Sequence, residues 1–332
     1  MLIFMQLYPF FFQPRLVSKM WGGRQLGDLL SKTLPDARPY GESWEVFDFP
    51  PGTVGADGRS KDDVPGDWVS AKLTNGPYAG KSLHELMSSF GTEILGDSHA
   101  VETKSGPQFP LLVKFLDAGQ DLSVQVHPDD AYAKTHAEAF VKNECWHVLA
   151  REPGARLLIG LKQGVTPDAF RASLDDGTCE AQLNAVLVEV GQTYYLPSGT
   201  VHALGAGVLA AEVQTPSDTT YRVHDFNRVE PATGKKRSLH VEEAMACIDF
   251  NSTEAKSPVE VVRAPQFEMR TVHMKGDSII DTTNRATVVV CVRGFAKIAG
   301  QQINRGGTLV IPASLRKSNC VGEATLLIAH AS

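Results

Sequence analysis

An antiparallel β architecture, barrel or sandwich, with a few inserted helices is the fold class this sequence predicts. Three observations carry it. The candidate strands are short, apolar or alternating, and most end near Gly, Pro or Asp. Few long helical patterns lie between them, which disfavours parallel βαβ units. A polar stretch at residues 251–258 then separates two segments written in the same strand-and-turn style.

Along the chain, residues 1–14 are apolar and aromatic, lack a basic region and are interrupted by Pro9 and Pro14. They are too short to span a bilayer, and no small-residue cleavage site follows, so they read as a first strand or a docked tail rather than a signal peptide. Strands are predicted at 44–49, 111–116, 122–127, 144–150, 156–160, 184–190, 193–196, 208–214 and 221–224. Helices are predicted at 82–91, where Leu83, Leu86 and Met87 have helical spacing, and at 129–141, which is Ala-rich. Thr166 followed by Pro167 reads as an N-cap with Pro at the first helical position, opening a helix through Leu174. A short amphipathic helix is expected at 240–248. Beyond the polar stretch come strands at 259–263, 267–273, 286–293, 296–299, 308–311 and 324–329. These divide the chain into a first domain, 1–252, and a smaller second one, 253–332, with a structural role.

The chain has 332 residues, long enough for two domains. Its net charge of −6 argues against general nucleic-acid affinity. The five cysteines, Cys145, Cys179, Cys247, Cys291 and Cys320, are scattered and never form a CxxC pair. That argues against a thiolate zinc site and a disulfide framework, and points to a reducing compartment, hence the cytoplasm. No segment resembles a membrane span.

Chemistry concentrates in three segments. In 122–127, alternation puts Ser123, Gln125 and His127 on one face and Leu122, Val124 and Val126 on the other. A half-exposed strand would look the same, but Gln-x-His also sets an amide oxygen and an imidazole side by side. In 142–147, Lys142, Glu144 and Trp146 share a face, with His147 turned away. In 191–202, a strand runs into Pro197-Ser198-Gly199 and delivers His202 just after the turn. A lone His is more often core or surface than ligand, and His84, His99, His136, His147, His224, His240 and His273 are left there.

The combination is specific. Gly119-x5-Gln125-x-His127, then a Glu, then Gly191-x5-Pro197-x-Gly199-x2-His202 resembles the two-part metal signature of cupins. Gln125 replaces the usual first His, and Glu144 lies 17 residues after His127 because a helix is inserted. These departures resemble type I mannose-6-phosphate isomerases, short bacterial form. Further likeness is carried by Pro110 to Lys114, Leu122 to Asp130, Lys142 to Trp146, Pro197 to Ala203 and Ser217 to Arg222, with Trp21-Gly22-Gly23 and Gly41 to Trp44 in order. It runs from about Trp21 to Asp249.

The resemblance implies a cupin double-stranded β-helix, or jelly roll, with inserted helices and a small C-terminal cupin-like domain. It implies Gln125, His127, Glu144 and His202 as ligands of one zinc ion. Two imidazoles, a carboxylate and an amide suit a divalent ion of borderline hardness, and without thiolates manganese, cobalt or iron also fit. An aldose–ketose isomerase moves a proton between C1 and C2 through a cis-enediol. It needs a base, donors at O1 and O2, and a phosphate clamp. The resemblance suggests Glu212 as base, Arg222 on the enediolate, Lys142 on a hydroxyl or proton relay, Lys114 and Ser123 at substrate or phosphate, and Arg228 on phosphate. Read plainly, Glu212 and Arg222 are a cross-strand ion pair and Lys114 and Arg228 solvated charges. Where the family often has Gln-Gln-Asn-Ser-Asp, this chain has Val213-Gln-Thr-Pro216-Ser-Asp218. The expected partner is a sugar phosphate, with no nucleic acid or membrane, in a monomer or small homo-oligomer. The rivals are another metal-dependent cupin, such as a dioxygenase, and a non-enzymatic sugar-binding cupin. The basic set Lys114, Lys142, Arg222 and Arg228 favours a phosphosugar over either.

Overall fold

The structure, a computed structural model, describes residues 7–52, 68–230, 234–253 and 256–332. Residues 1–6 of the apolar start, and 254–255 of the polar stretch, lie outside them. Three sheets carry the fold, and their ladders are antiparallel. A six-stranded sheet has the order Thr193–Leu196, Glu144–Arg151, Val208–Gln214, Leu112–Asp117, Tyr40–Val46, Arg15–Gly23. A five-stranded sheet has the order Leu183–Leu187, Arg156–Leu161, His202–Leu204, Val124–Val126, Tyr221–His224. Between residues 112 and 224 the chain passes back and forth between these two sheets, the two-sheet wrapping of a jelly roll.

Alternation decides which face each side chain meets. Trp146, Val148, Tyr194 and Leu196 of the six-stranded sheet pack against Leu157, Ile159 and Leu204 of the five-stranded one. The outer face of the five-stranded sheet, with Val124, Val126, Ala203 and Val223, packs with residues of the helices Pro167–Asp175 and Val241–Cys247. The outer face of the six-stranded sheet, with Val113, Phe115, Cys145 and Val213, shares a core with Met269, Val290 and Leu327 of the third sheet.

That third sheet has seven strands: Phe10–Phe11, Thr308–Ile311, Thr287–Ile298, Lys317–Ala331, Phe267–Asp281 and Val261–Arg263 in order, with Gln301–Asn304 paired to Thr287–Ile298. Phe10 and Phe11, from the chain's start, pair with Val310 and Leu309. The early segment therefore contributes one strand to a sheet otherwise built from residues beyond 253.

Most predicted elements recur with shifted ends. Strands Thr193–Leu196, Val208–Gln214, Tyr221–His224 and Thr308–Ile311 match their predicted bounds. Thr166 caps its helix by accepting from Ala169 N, and Ser82 and Glu85 form a reciprocal capping box at Leu83–Leu95. The predicted helix at 129–141 is a correction: only Asp130–Ala133 is helical. The backbone beyond it is engaged elsewhere. Phe140 N donates to Thr219 Oγ1, while Phe140 O and Val141 O accept from Ser217 and Thr215 hydroxyls. Tertiary bonds override the weak alanine preference. The strands predicted at 286–293 and 296–299 are one, Thr287–Ile298. Its ladder shifts register between Cys291 and Arg293, and just beyond, Gly294 sits at φ +72°, where a Cβ would overlap the Glu323 carbonyl oxygen. Strands Arg15–Gly23, His202–Leu204 and Gln301–Asn304 were not predicted from the sequence.

Candidate metal centre

Register assembles the centre. Across the five-stranded sheet, Ile159 lies opposite His202, His202 opposite Gln125, and Gln125 opposite Arg222. Directly opposed residues share a face, so His202, Gln125 and Arg222 form one row on the side of the inner core. Across the six-stranded sheet a second row reads Tyr194, Trp146, Glu212, Lys114, Trp44, Arg15. Glu144 lies two residues before Trp146 and so joins that face. The Trp146 and His202 rings meet edge to face at 5.3 Å, linking the two rows.

Between them, ligand atoms of His127, Glu144 and His202 all lie within 4.8 Å of one another, and all three residues are buried. His202 Nε2 is 3.1 Å from Glu144 Oε1, and His127 Nε2 is 3.5 Å from Oε2. Each imidazole commits its other nitrogen to a backbone carbonyl. His127 Nδ1 bonds Thr219 O at 3.0 Å, and His202 Nδ1 bonds Thr200 O at 2.8 Å. A carbonyl only accepts, so both Nδ1 atoms carry the proton and both Nε2 lone pairs face Glu144. Metal-ligating histidines are oriented in this way.

The donor set fits a divalent cation. Among the described residues both Glu144 oxygens are buried without a hydrogen-bond donor in good alignment, although Lys142 Nζ lies 2.7 Å from Oε2 as an ion pair. Burial alone would raise the Glu144 carboxyl, but the Lys142 ammonium beside it outweighs burial and holds it well below the usual carboxylate range. Burial, then Lys142, drives His127 down to about 3, which keeps its ring neutral and ligating. Gln125 borders the cluster, with its amide nitrogen 3.4 Å from His202 Nε2. A half-turn of that amide presents Oε1 to the centre instead.

The remaining predicted residues fall around this cluster. Lys142 Nζ is also 3.1 Å from His127 Nε2. Ser123 is buried, with Oγ 3.5 Å from Gln125 Oε1. Glu212 is buried and accepts Trp146 Nε1–H at 2.9 Å; burial first, and the nearby Glu144 charge second, push its carboxyl up to about 7. Glu212 and Arg222 belong to different sheets and so are not cross-strand neighbours, and no ion pair between them forms among the described residues. Arg222 instead donates to Ser238 O at 3.0 Å and leaves a buried Nε without a hydrogen-bond partner among the described residues. Burial and the neighbouring Arg237 lower its guanidinium to about 10. Arg228 binds Asp225 and the Asp121 carbonyl.

Lys114 and Arg228 are therefore not solvated charges. Lys114 is buried among Glu42, Glu212 and Asp218, at 3.7, 3.7 and 3.6 Å. Those carboxylates outweigh burial and raise its ammonium above the usual lysine value. His147 is a core residue, bonded to Thr193 Oγ1 at 2.8 Å and driven by burial down to about 4.

Sequence reading missed several contributors. Asp225 holds both Arg228 and Arg237, and its charge also reaches Arg222. The 215–219 loop presents the Thr219 carbonyl to His127, and Gln214 Nε2 pins it by donating to Thr215 O and Ser217 O at 2.8 and 2.6 Å. Pro216 fits this loop, its carbonyl accepting from Gln108 at 3.2 Å. Glu42 had no motif of its own beyond Gly41 to Trp44. Carbonyls carry no sequence signal, and Asp225 and Arg237 stand at no motif spacing that would announce their pairing.

Comparison with known proteins converges on one family. The profile of the type I phosphomannose isomerase catalytic domain matches residues 10–145. A probable mannose-6-phosphate isomerase of Bacillus subtilis is 31% identical over 97% of this chain and 99% of its own. A mannose-6-phosphate isomerase of Streptococcus mutans is 30% identical over 98% of each chain. The crystal structure of mannose 6-phosphate isomerase from Bacillus subtilis superposes with a TM-score of 0.81 at 27% identity, covering 98% of this chain and all of that one.

Proposed function

The chain belongs to the type I mannose-6-phosphate isomerase family, and from that premise we propose how its buried centre interconverts mannose 6-phosphate and fructose 6-phosphate. It is a metal-dependent aldose–ketose isomerase of cupin-like β fold. The observation that carries the site is the buried convergence of two Nε2 lone pairs on one carboxylate.

In this reading His127, Glu144, His202 and the Gln125 amide oxygen hold zinc. The set sums to one negative charge, so a divalent ion leaves the site net positive toward substrate oxygens. When bound, the ion supplies Lewis acidity toward those oxygens.

Glu212 takes the proton from one of C1 and C2 and returns it to the other. A carboxyl near 7 divides its population between acid and base at neutral pH, which suits a group that must do both. Arg222, in the row with Gln125, offers its unpaired Nε–H to the oxyanion of the enediol. Lys142, fixed against Glu144, bonds a sugar hydroxyl or relays its proton during ring opening. Ser123 bonds the sugar. Arg228, with Arg237, takes the phosphate, where a guanidinium can offer two parallel N–H bonds. Lys114 lies on the sugar side of the site.

The chain divides near residue 253 into a catalytic segment and a smaller C-terminal one. A cytoplasmic location is consistent with five free, buried cysteines, and no helix among the described residues is long and apolar enough to cross a membrane. A monomer or small homo-oligomer is the expected state. A dioxygenase or a simple sugar binder is not favoured by the relatives.

The test is a coupled assay for fructose 6-phosphate formed from mannose 6-phosphate. Activity should vanish with a chelator and return with zinc. No turnover after reconstitution rejects this reading.

A further inference from the structure

One buried ammonium lies amid three buried or half-buried carboxylates on the floor of the site. Lys114 Nζ sits 3.7 Å from Glu42, 3.7 Å from Glu212 and 3.6 Å from Asp218, and 4.8 Å from the Trp44 ring centroid. The strand register produces this: Trp44, Lys114 and Glu212 are side-by-side neighbours on three adjacent strands, and Glu42 shares the face of Trp44. Glu42 and Glu212 are held in parallel fashion. Trp44 Nε1 donates to Glu42 at 2.6 Å and Trp146 Nε1 donates to Glu212 at 2.9 Å. Lys19, 3.2 Å from Glu42, anchors it from the far side. Three acids around one ammonium repel a phosphate, so this lysine is better suited to serving Glu212 than to clamping the substrate's dianion.

We propose that Glu42 is a positioning residue for the isomerisation: it holds Lys114 in a shared position between two carboxylates and so keeps Glu212 free enough to act as the base. The idea rests on Glu212 being that base. An ammonium drawn wholly onto Glu212 would stabilise its ionised form and weaken it as a proton acceptor. Glu42, kept ionised to about 2 by Lys19 and Lys114 in spite of its burial, competes for that ammonium. The charged groups facing Glu212 are Lys114 from the strand on one side, Glu144 from the strand on the other and Lys142 two residues before Glu144, with Glu42 and Asp218 acting through Lys114.

The test measures kcat, KM, bound zinc and the pH profile of kcat/KM for the zinc-loaded enzyme and its variants. Glu42→Gln should lower kcat about 10- to 100-fold with KM within about threefold and zinc unchanged. Its acid limb should move to lower pH, because Lys114 now favours Glu212. Lys114→Met should move that limb to higher pH. Glu42→Asp, which keeps the charge, should restore most of kcat and leave the limb near its wild-type place. Should Glu42→Gln not fold, Trp44→Phe, which takes the indole N–H from Glu42 and shrinks the ring beside Lys114, should shift the limb the same way by less. Wild-type kcat and pH profile in Glu42→Gln, or limbs moving in one direction for both variants, overturns the proposal. Glu212→Gln separates the two failures. A loss of about 10²-fold or more there, beside a wild-type Glu42→Gln, rejects Glu42 alone. Near-wild-type activity in Glu212→Gln rejects the base assignment and the proposal with it.

Discussion

The sheet pair around the centre and the C-terminal sheet are built from the same kind of strand and put it to opposite uses. Both are antiparallel, and each turns one side-chain face toward a buried interior of its own. In the C-terminal sheet that face is Val289, Cys291, Leu309, Leu326 and Ile328, an ordinary apolar core. In the pair it includes Glu42, Lys114, His127, Glu144, His202 and Glu212, together with Lys142 beside the strand, all buried. Replacing buried ion pairs by packed apolar residues is often neutral or stabilising, so charge at such positions is poor evidence of a stability role. The difference locates chemistry: identical architecture, with partners arranged for every charge in one place and none needed in the other.

The comparison can be broken most forcefully at Glu144. Glu144→Gln keeps shape and removes the charge, so bound metal should fall toward zero and kcat/KM by about 10³-fold or more, since Lewis-acid stabilisation amounts to several kcal/mol. Metal analysis beside the coupled assay checks this; full metal occupancy would mean the ligand set is wrong. The matching change in the apolar sheet is Leu309→Ala, at a fully buried side chain of that face. It should cost about 2–5 kcal/mol of stability by denaturant unfolding, with kcat of the folded enzyme unchanged. A large loss of kcat at retained stability would show that the two regions are not separable in this way.

A subtler change tests how the pair orients its ligands. Ser217 bonds Phe140 O and accepts from Thr219 N, so it holds the loop whose carbonyl faces His127. Ser217→Ala should weaken metal affinity about 10- to 100-fold while leaving the fold intact. Competition with a chromogenic chelator reads this out.

The smallest effect concerns a buried acid outside the centre. Asp48 is fully buried, accepts Phe109 N–H at 3.0 Å, and has an Oδ1 without a hydrogen-bond partner among the described residues. Burial pushes its carboxyl up to about 7. The folded state therefore holds a proton that the unfolded state releases near 4, so stability falls as pH rises between those values, by at most about 1.4 kcal/mol per pH unit. Asp48→Asn should flatten that slope in unfolding experiments from pH 5 to 7. An unchanged slope would show that Asp48 is ionised in the fold.

Much of this was legible in the sequence because period-2 alternation determines faces without knowledge of partners. Gln125 with His127, and Glu144 with Trp146, follow from spacing alone, and the turn at Pro197 to Gly199 marks the entry of His202. What stayed hidden depends on register between distant strands. Nothing near Lys114 in sequence announces Glu42 or Glu212; they meet because residues 44, 114 and 212 fall in line across three strands. The helix expected at 129–141 failed for a related reason, since hydroxyls of Thr215, Ser217 and Thr219 claim its backbone. The carbonyls that fix both histidines belong to threonines whose side chains play no part in the contact.

The central claim is that two imidazoles, proton-bearing at Nδ1, present Nε2 with Glu144 to a single ion. Diffraction from zinc-loaded crystals on both sides of the zinc absorption edge tests it directly. The account predicts one anomalous peak about 2.0–2.2 Å from His127 Nε2, His202 Nε2 and a Glu144 oxygen, with Gln125 completing the set. A peak elsewhere, or none at this cluster in crystals of enzyme that isomerises mannose 6-phosphate, would contradict it.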